Sequence, residues 1–222
     1  MPLPVSGARP AETLPRKSLL LYLCTDRRLL RGRDLCECVE QAIRGGVTLV
    51  QLREKDASAR SFFELALSVR AVTKRHGIPL VVNDRLDVAL AAGADGAHIG
   101  QTDLPLGAAR KLAGSRLFIG VSVGTVQEAL DAERDGADYV GAGAVFPTDT
   151  KADAGEAVGL ERLRAIVGAV RIPVVGIGGV NAGNARSVVQ TGAAGIALVS
   201  GIISQDDVEA AAQKLKELVS GS

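Results

Sequence analysis

A chain of 222 residues is long for an ordinary single domain and normal for an α/β barrel. Hydrophobic residues make up 47%, enough for a large core, and 26 basic against 25 acidic side chains leave no cationic excess with which to coat a nucleic acid. Two tyrosines, four phenylalanines and no tryptophan offer little on which to stack bases, which also argues against a nucleic-acid partner.

Met1–Lys17 carries four prolines and no periodicity, so it reads as a flexible tail (residues 1–17) ahead of one domain spanning 18–222. From Leu19 onward one alternation repeats: an apolar, β-prone run, a Gly-rich or polar turn, then an amphipathic stretch. The predicted strands are Leu19–Thr25, Thr48–Arg53, Ile78–Val82, Gly96–Ile99, Leu117–Val121, Tyr139–Ala142, Pro173–Ile177 and Gly195–Val199. The predicted helices are Arg33–Gly45, Ser58–His76, Leu86–Ala92, Leu106–Ala113, Val126–Asp135, Leu160–Val170, Ala182–Thr191 and Asp206–Val219. Gly45-Gly46, Gly77, Gly93, Gly136 and Gly192 stand just past helix ends, and Ser58 and Asn181 just before helix starts. The turns A-G-A-D-G-A, D-G-A-D-Y-V, T-G-A-A-G-I and R-G-G-V-T-L are near-repeats of one phrase. Eight units spaced about 25 residues apart predict a single (β/α)8 TIM barrel; an open doubly wound sheet would show fewer strands and a Gly-rich first turn.

Cys24 falls in an apolar run, and Cys36 and Cys38 on a helix where i, i+2 side chains diverge, so three buried structural thiols in a reducing compartment are expected. No apolar segment approaches the length of a membrane span. Leu19–Leu23, behind Arg16-Lys17, is too short for a signal peptide, and a cytoplasmic location follows.

In such barrels active-site groups come from the C-terminal strand ends, and here those ends are polar. Gln51, Arg53 and Lys55 alternate along an extended chain and can share one face, although a charged triplet also reads as a solvated loop. Asp84 after the third strand and Asp103 after the fourth would reach one rim, where two carboxylates can hold a Mg2+ that also touches phosphate. Taken singly, Asp84 could instead pair with Arg85, and Asp103 could cap the helix ahead of Pro105. Gly178-Gly179 and Ser200-Gly201 close the seventh and eighth strands, the usual phosphate pocket of these barrels. Thr148 and Thr150 on the long sixth loop add hydroxyl donors to it. Two anion pockets imply two phosphorylated substrates, or one with phosphate at both ends. His98 alternates within a strand, where a hydrogen-bonded core histidine is the default reading and a general base the minority one. His76 reads as a surface residue at a helix C-terminus.

The motifs Q-L-R-E-K, V-N-D-R, D-G-A-H-I-G-Q-T-D-L-P, G-V-S-V, G-A-G-A-V-F-P-T-D-T-K-A-D-A-G and G-I-G-G-V, in this order, resemble the thiamine phosphate synthase family from about Tyr22 to Ser204. That family joins an aminopyrimidine methyl pyrophosphate to a thiazole phosphate and releases pyrophosphate. The resemblance implies that Gln51, Arg53, Lys55 and Asn83 hold the pyrimidine pyrophosphate, with Leu52 and Glu54 in the same substrate-binding run. It implies Mg2+ on Asp84 and Asp103, and contacts from Ser122 and Lys151 to the pyrimidine substrate, Lys151 on the departing pyrophosphate. Thr148, Thr150, Gly179 and Val199-Ser200 would hold the thiazole phosphate, Asp149 would be a further substrate-binding residue, and Arg53, Lys55, Ser122 and Lys151 would be the catalytic groups. Closure of the sixth loop would keep water from the reacting cation. A homodimer is implied by the resemblance alone; the partners otherwise are small-molecule substrates, with no nucleic acid and no membrane. A thiazole tautomerase of the same barrel group would not need the charged rim, and a non-catalytic barrel that senses thiamine phosphate would be excluded only by turnover.

Overall fold

The computed structural model describes residues 14–148 and 157–221. Strands β1 (Leu21–Cys24), β2 (Leu49–Leu52), β3 (Leu80–Asn83), β4 (Gly96–Ile99), β5 (Phe118–Val123), β6 (Tyr139–Ala142), β7 (Val174–Ile177) and β8 (Gly195–Leu198) pair in parallel and in chain order. The last returns to the first, with Tyr22 opposite Ala197, so the sheet is a closed barrel. Outside it run α1 (Leu35–Arg44), α2 (Ala59–Arg75), α3 (Leu86–Ala92), α4 (Leu106–Ala113), α5 (Val126–Arg134), α6 (Gly159–Ala169), α7 (Ala185–Val189), α8 (Ser200–Ile203) and α9 (Val208–Ser220). The protein is a single (β/α)8 barrel. No helix among the described residues is long and apolar enough to cross a membrane.

Strand alternation sorts the core into two layers. Outward residues such as Leu21, Leu23, Val50, Leu52, Leu80 and Val82 pack beneath the helices. Inward residues Tyr22, Leu49, Val81, Tyr139, Val175 and Ala197 fill the lumen. Leu14 and Leu19 join that inner cluster, and Arg16 donates to the Gly192 carbonyl at 3.0 Å, so residues 14–17 lie against the barrel.

Local chemistry sets several boundaries. Asp34 accepts from the Glu37 amide at 2.9 Å and starts α1, and Ser58 accepts from that of Ser61 at 3.2 Å and starts α2. Thr125 and Glu128 form a reciprocal capping box at α5. Gly93 ends α3 at φ 63°, where a side chain would be strained. Elsewhere the elements differ from expectation. Strand β2 stops at Leu52 rather than Arg53, and β5 runs on to Val123, which takes Ser122 into the strand. Helix α7 begins three residues late because Asn181 accepts from Gly183 and Asn184 from Asn181, both at 2.8 Å, and these side-chain bonds hold a turn in place of a helical one. The short α8 and the 3-10 turns Arg16–Leu19 and Arg27–Leu29 span too few residues to show a helical period.

Candidate active site

A cavity of about 500 Å³ opens at the C-terminal strand ends. Gln51, Arg53, Asn83, Ser122, Thr148, Gly179, Val199 and Ser200, all singled out from the sequence, line it together. Lys55, Asp84 and Asp103 are outside that lining. Leu52 and Glu54 face away: the former is wholly buried under the helices, and the latter pairs with Arg27 at 2.8 Å. Burial holds the Glu54 carboxyl above its ordinary range. Because β2 ends at Leu52, the alternation that would carry Lys55 inward stops short, and Lys55 is exposed. Asp149, Thr150 and Lys151 lie outside the described residues.

The two carboxylates meet. Partial burial, a hydrogen bond with Asp103 and the Asp103 charge push the Asp84 carboxyl up to about 6, against the opposing pull of Lys55 and Arg53. Asp84 does not pair with its neighbour Arg85, which instead grips Asp87 through Nε (2.9 Å) and Nη2 (2.6 Å). Asp103 does not cap α4, which starts behind Pro105 without a side-chain cap; its Oδ2 accepts from the Gly100 amide at 2.7 Å. Asp84 sits at φ 61°, a left-handed position that Asp tolerates better than most residues, and its amide donates to the His98 carbonyl at 2.8 Å. The donor set fits Mg2+, which is held by one or two carboxylates plus phosphate oxygens and keeps its remaining waters.

Arg53 is aimed by residues the sequence did not single out. Asp26 accepts from its Nη1 at 3.2 Å, and Thr25 Oγ1 accepts from its backbone amide at 3.1 Å. Arg28 closes on Asp26 through Nε (3.1 Å) and Nη2 (2.8 Å) and holds that carboxyl below its usual range. The available signal was a carboxylate next to the first strand, the only strand end for which no site residue was named.

On the opposite side Gly178 (φ 91°) and Gly179 (φ 65°) bring the backbone to the cavity wall, and the Gly179 carbonyl accepts from Asn184 Nδ2 at 3.0 Å. Helix α8 opens at Ser200, and its Ile202 and Ile203 amides bond back to the Val199 carbonyl at 3.2 and 3.0 Å, which leaves the Ser200 and Gly201 amides ahead of the first helical bonds. The lumen below is polar. Gln51 Nε2 donates to Tyr22 Oη (2.6 Å), the Tyr22 and Tyr139 hydroxyls share a hydrogen bond (2.9 Å), and His98 bridges Tyr139 Oη (Nδ1, 3.0 Å) to Ser122 Oγ (Nε2, 2.9 Å). His98 is thus a hydrogen-bonded lumen residue. The tyrosines were not anticipated, although they are the only two in the chain and both fall in strands. His76 is at the end of α2, with Nε2 3.1 Å from Glu40 Oε1. The described cysteines are free thiols, Cys24 and Cys38 buried and Cys36 half-buried; burial pushes the Cys24 thiol up to about 12.

Residues 21–202 match the family model described as thiamine monophosphate synthase. The chain belongs to the thiamine monophosphate synthase family. The thiamine-phosphate synthase of Ruminiclostridium cellulolyticum is 54% identical over 198 residues, 89% of this chain and 94% of that one. That of Chloroflexus aurantiacus is 54% identical over 200 residues, 90% of this chain and 92% of the other. Among solved structures, thiamine phosphate pyrophosphorylase from Pyrococcus furiosus superposes with a TM-score of 0.86 at 44% identity, covering 93% of this chain and 98% of that one. A 3-hexulose-6-phosphate synthase shares the fold alone, with a TM-score of 0.67 at 20% identity. The membership makes the chain a transferase of thiamine biosynthesis. The cavity wall carries the Arg53 cation on one side and the Gly178 and Gly179 backbone on the other, and the Asp84–Asp103 pair lies beyond its lining.

Proposed function

We propose that the protein joins 4-amino-2-methyl-5-(diphosphooxymethyl)pyrimidine to thiazole phosphate, giving thiamine phosphate and pyrophosphate, by a dissociative substitution that uses Mg2+. The observation that carries this is the Asp84–Asp103 pair, which resembles no ordinary ion pair and faces Arg53 and Lys55. A thiazole tautomerase would have no use for that arrangement.

Asp84 and Asp103 would hold the metal, which when bound neutralises charge on the pyrophosphate. As the C–O bond lengthens, negative charge gathers on the leaving group, so Arg53 and Lys55 stabilise the transition state more than the ground state. Asp26 keeps Arg53 pointed at that position, so little side-chain ordering is left for the reaction itself. Lys151 joins them by resemblance. The aminopyrimidine bears the benzylic-type cation, and Gln51, Asn83 and Ser122 hold its ring. The thiazole nitrogen then captures the cation, with the thiazole phosphate held by amides around Gly179, Val199 and Ser200 and by the hydroxyls of Thr148 and Thr150. No general base and no covalent enzyme intermediate are required. A cytoplasmic setting and a homodimer belong to the same proposal and rest on the family resemblance.

The test supplies both phosphorylated substrates with Mg2+ and follows pyrophosphate release. The expected result is release that requires all three components together with thiamine phosphate formed in equal amount. Metal-independent turnover, or none from the pair, would overturn the proposal.

A further inference from the structure

The lumen network runs unbroken from one cavity-lining side chain to another: Gln51, Tyr22, Tyr139, His98, Ser122. Its middle members are deeply buried, with Tyr22 2% and Tyr139 0% exposed. The barrel is built around them. A Cβ on Gly120 would fall 2.1 Å from Tyr139 Cζ, and one on Gly141 would press to 3.2 Å from His98 Cε1. Tyr22 meets Tyr139 edge-on at 6.1 Å between ring centres, and His98 lies 5.5 Å from it.

A chain of single-proton groups has a direction. Each phenol has one hydrogen to give, and a neutral imidazole donates from one nitrogen and accepts at the other. Burial raises the pKa of both phenols above the ordinary tyrosine value, so each keeps its hydrogen. With the Gln51 amide nitrogen donating to Tyr22, the arrangement that leaves no buried hydroxyl hydrogen unpaired has Tyr22 donate to Tyr139, and Tyr139 to His98 Nδ1. His98 Nε2–H then donates to Ser122 Oγ. At the two ends this leaves the Gln51 carbonyl as an acceptor and the Ser122 hydroxyl as a donor.

We propose that Tyr22, Tyr139 and His98 are positioning residues that lock this acceptor–donor pair, and that the pair selects a heteroaromatic ring bearing an amino group and an unprotonated ring nitrogen over the oxo counterpart. The proposal rests on the aminopyrimidine reading above. An amino group donates to Gln51 and a ring nitrogen accepts from Ser122. The corresponding pyrimidinone carries a carbonyl and a ring N–H, the opposite pattern at both places. To accept it with every buried hydrogen still paired, the amide, both phenols, the imidazole tautomer and the serine must reverse together. Removing one phenol hydroxyl cuts the chain, and each end then turns independently.

The experiment compares the KM of the aminopyrimidine pyrophosphate with the Ki of its 4-oxo analogue in the wild type, Tyr139→Phe, Tyr22→Phe and the double variant. Each single variant is expected to lower the amino-over-oxo preference about tenfold, the scale of one neutral hydrogen bond. The double variant should do no worse than either single, because one break is enough. The thiazole phosphate KM should stay at the wild-type value. A preference that is unchanged in both single variants, or equal losses for both rings, would overturn the relay. A wild type that releases no pyrophosphate from the two substrates would instead overturn the aminopyrimidine reading, and with it the relay's ligand.

Discussion

Asp84 carries a cost that the fold bears for the sake of the site. Its carboxyl is half-buried, sits next to Asp103, and titrates near 6 in the folded chain, about two units above an unfolded aspartate. Above that value the group is ionised in both states, and the whole penalty of placing its charge there is felt. As pH falls from about 7 towards 4 the folded state takes up the proton first, so this residue makes the protein more stable on acidification, opposite to the usual carboxylate. Asp26, held below its ordinary range by Arg28, works in the other direction, and its contribution is lost at still lower pH. Asp84→Asn keeps a side chain suited to φ 61° and removes the like charge. In metal-free buffer its Tm should exceed that of the wild type at pH 7.5, and the difference should shrink by pH 5. In the same variant Mg2+-dependent turnover should be largely lost. A Tm at or below the wild type's at neutral pH would mean that the two carboxylates do not repel one another.

At the scale of elements, the sixth and seventh loops are joined. Val145 N–H donates to the Ile177 carbonyl at 2.8 Å and Phe146 N–H to the Gly178 carbonyl at 3.0 Å. A Cβ on Gly179 would lie 2.6 Å from the Pro147 carbonyl oxygen and 2.7 Å from Phe146 Cβ, at a φ that costs a side chain about 1–2 kcal/mol. Gly179→Ala should therefore push the Thr148 end of the sixth loop off the seventh. The thiazole phosphate KM should rise roughly tenfold or more, while that of the pyrimidine substrate changes little, an asymmetry expected if only one pocket is misaligned. An unaltered thiazole phosphate KM would place that anion elsewhere. This site was legible in the sequence because a glycine pair after an apolar run has a local meaning. So were Gln51 and His98, whose positions in a period-two strand decide their direction, whereas Asn83, one residue past the expected end of the third strand, came from the resemblance alone. Arg53's support was not legible: Asp26 reaches it only because β1 and β2 are neighbours, 27 residues apart. The Tyr22–Tyr139 contact spans 117 residues and exists only once the sheet closes. The alternation through Lys55 ran past the end of β2, because strand pairing, not periodicity, decides where a strand ends.

The whole molecule depends on that closure, and α9 covers the seam. Its Val208, Ala212, Leu215 and Val219 are all buried, and it packs so closely on the end of α1 that a Cβ on Gly45 would fall 2.3 Å from the Glu209 carbonyl oxygen. Arg44 Nε adds a 2.8 Å bond to Glu209, but half-exposed ion pairs of this kind contribute at most about 1 kcal/mol. Apolar burial decides the matter. Val208, Leu215 and Val219 at about 1.5–3 kcal/mol each approach the entire 5–15 kcal/mol by which domains of this kind are stable. Removing α9 also takes away a packing partner of α1, whose buried Val39, Ala42 and Ile43 belong to the same core layer. A chain ending at Asp207 should therefore show no cooperative urea transition, and its far-ultraviolet signal should fall by more than the missing helix accounts for. Leu215→Ala should lose about 2–5 kcal/mol and keep a single sharp transition with a lower midpoint. It should also keep its KM values, since α9 supplies no residue to the cavity lining. A truncated chain that still unfolded in one sharp step would show instead that the eight strand pairings hold the barrel shut by themselves.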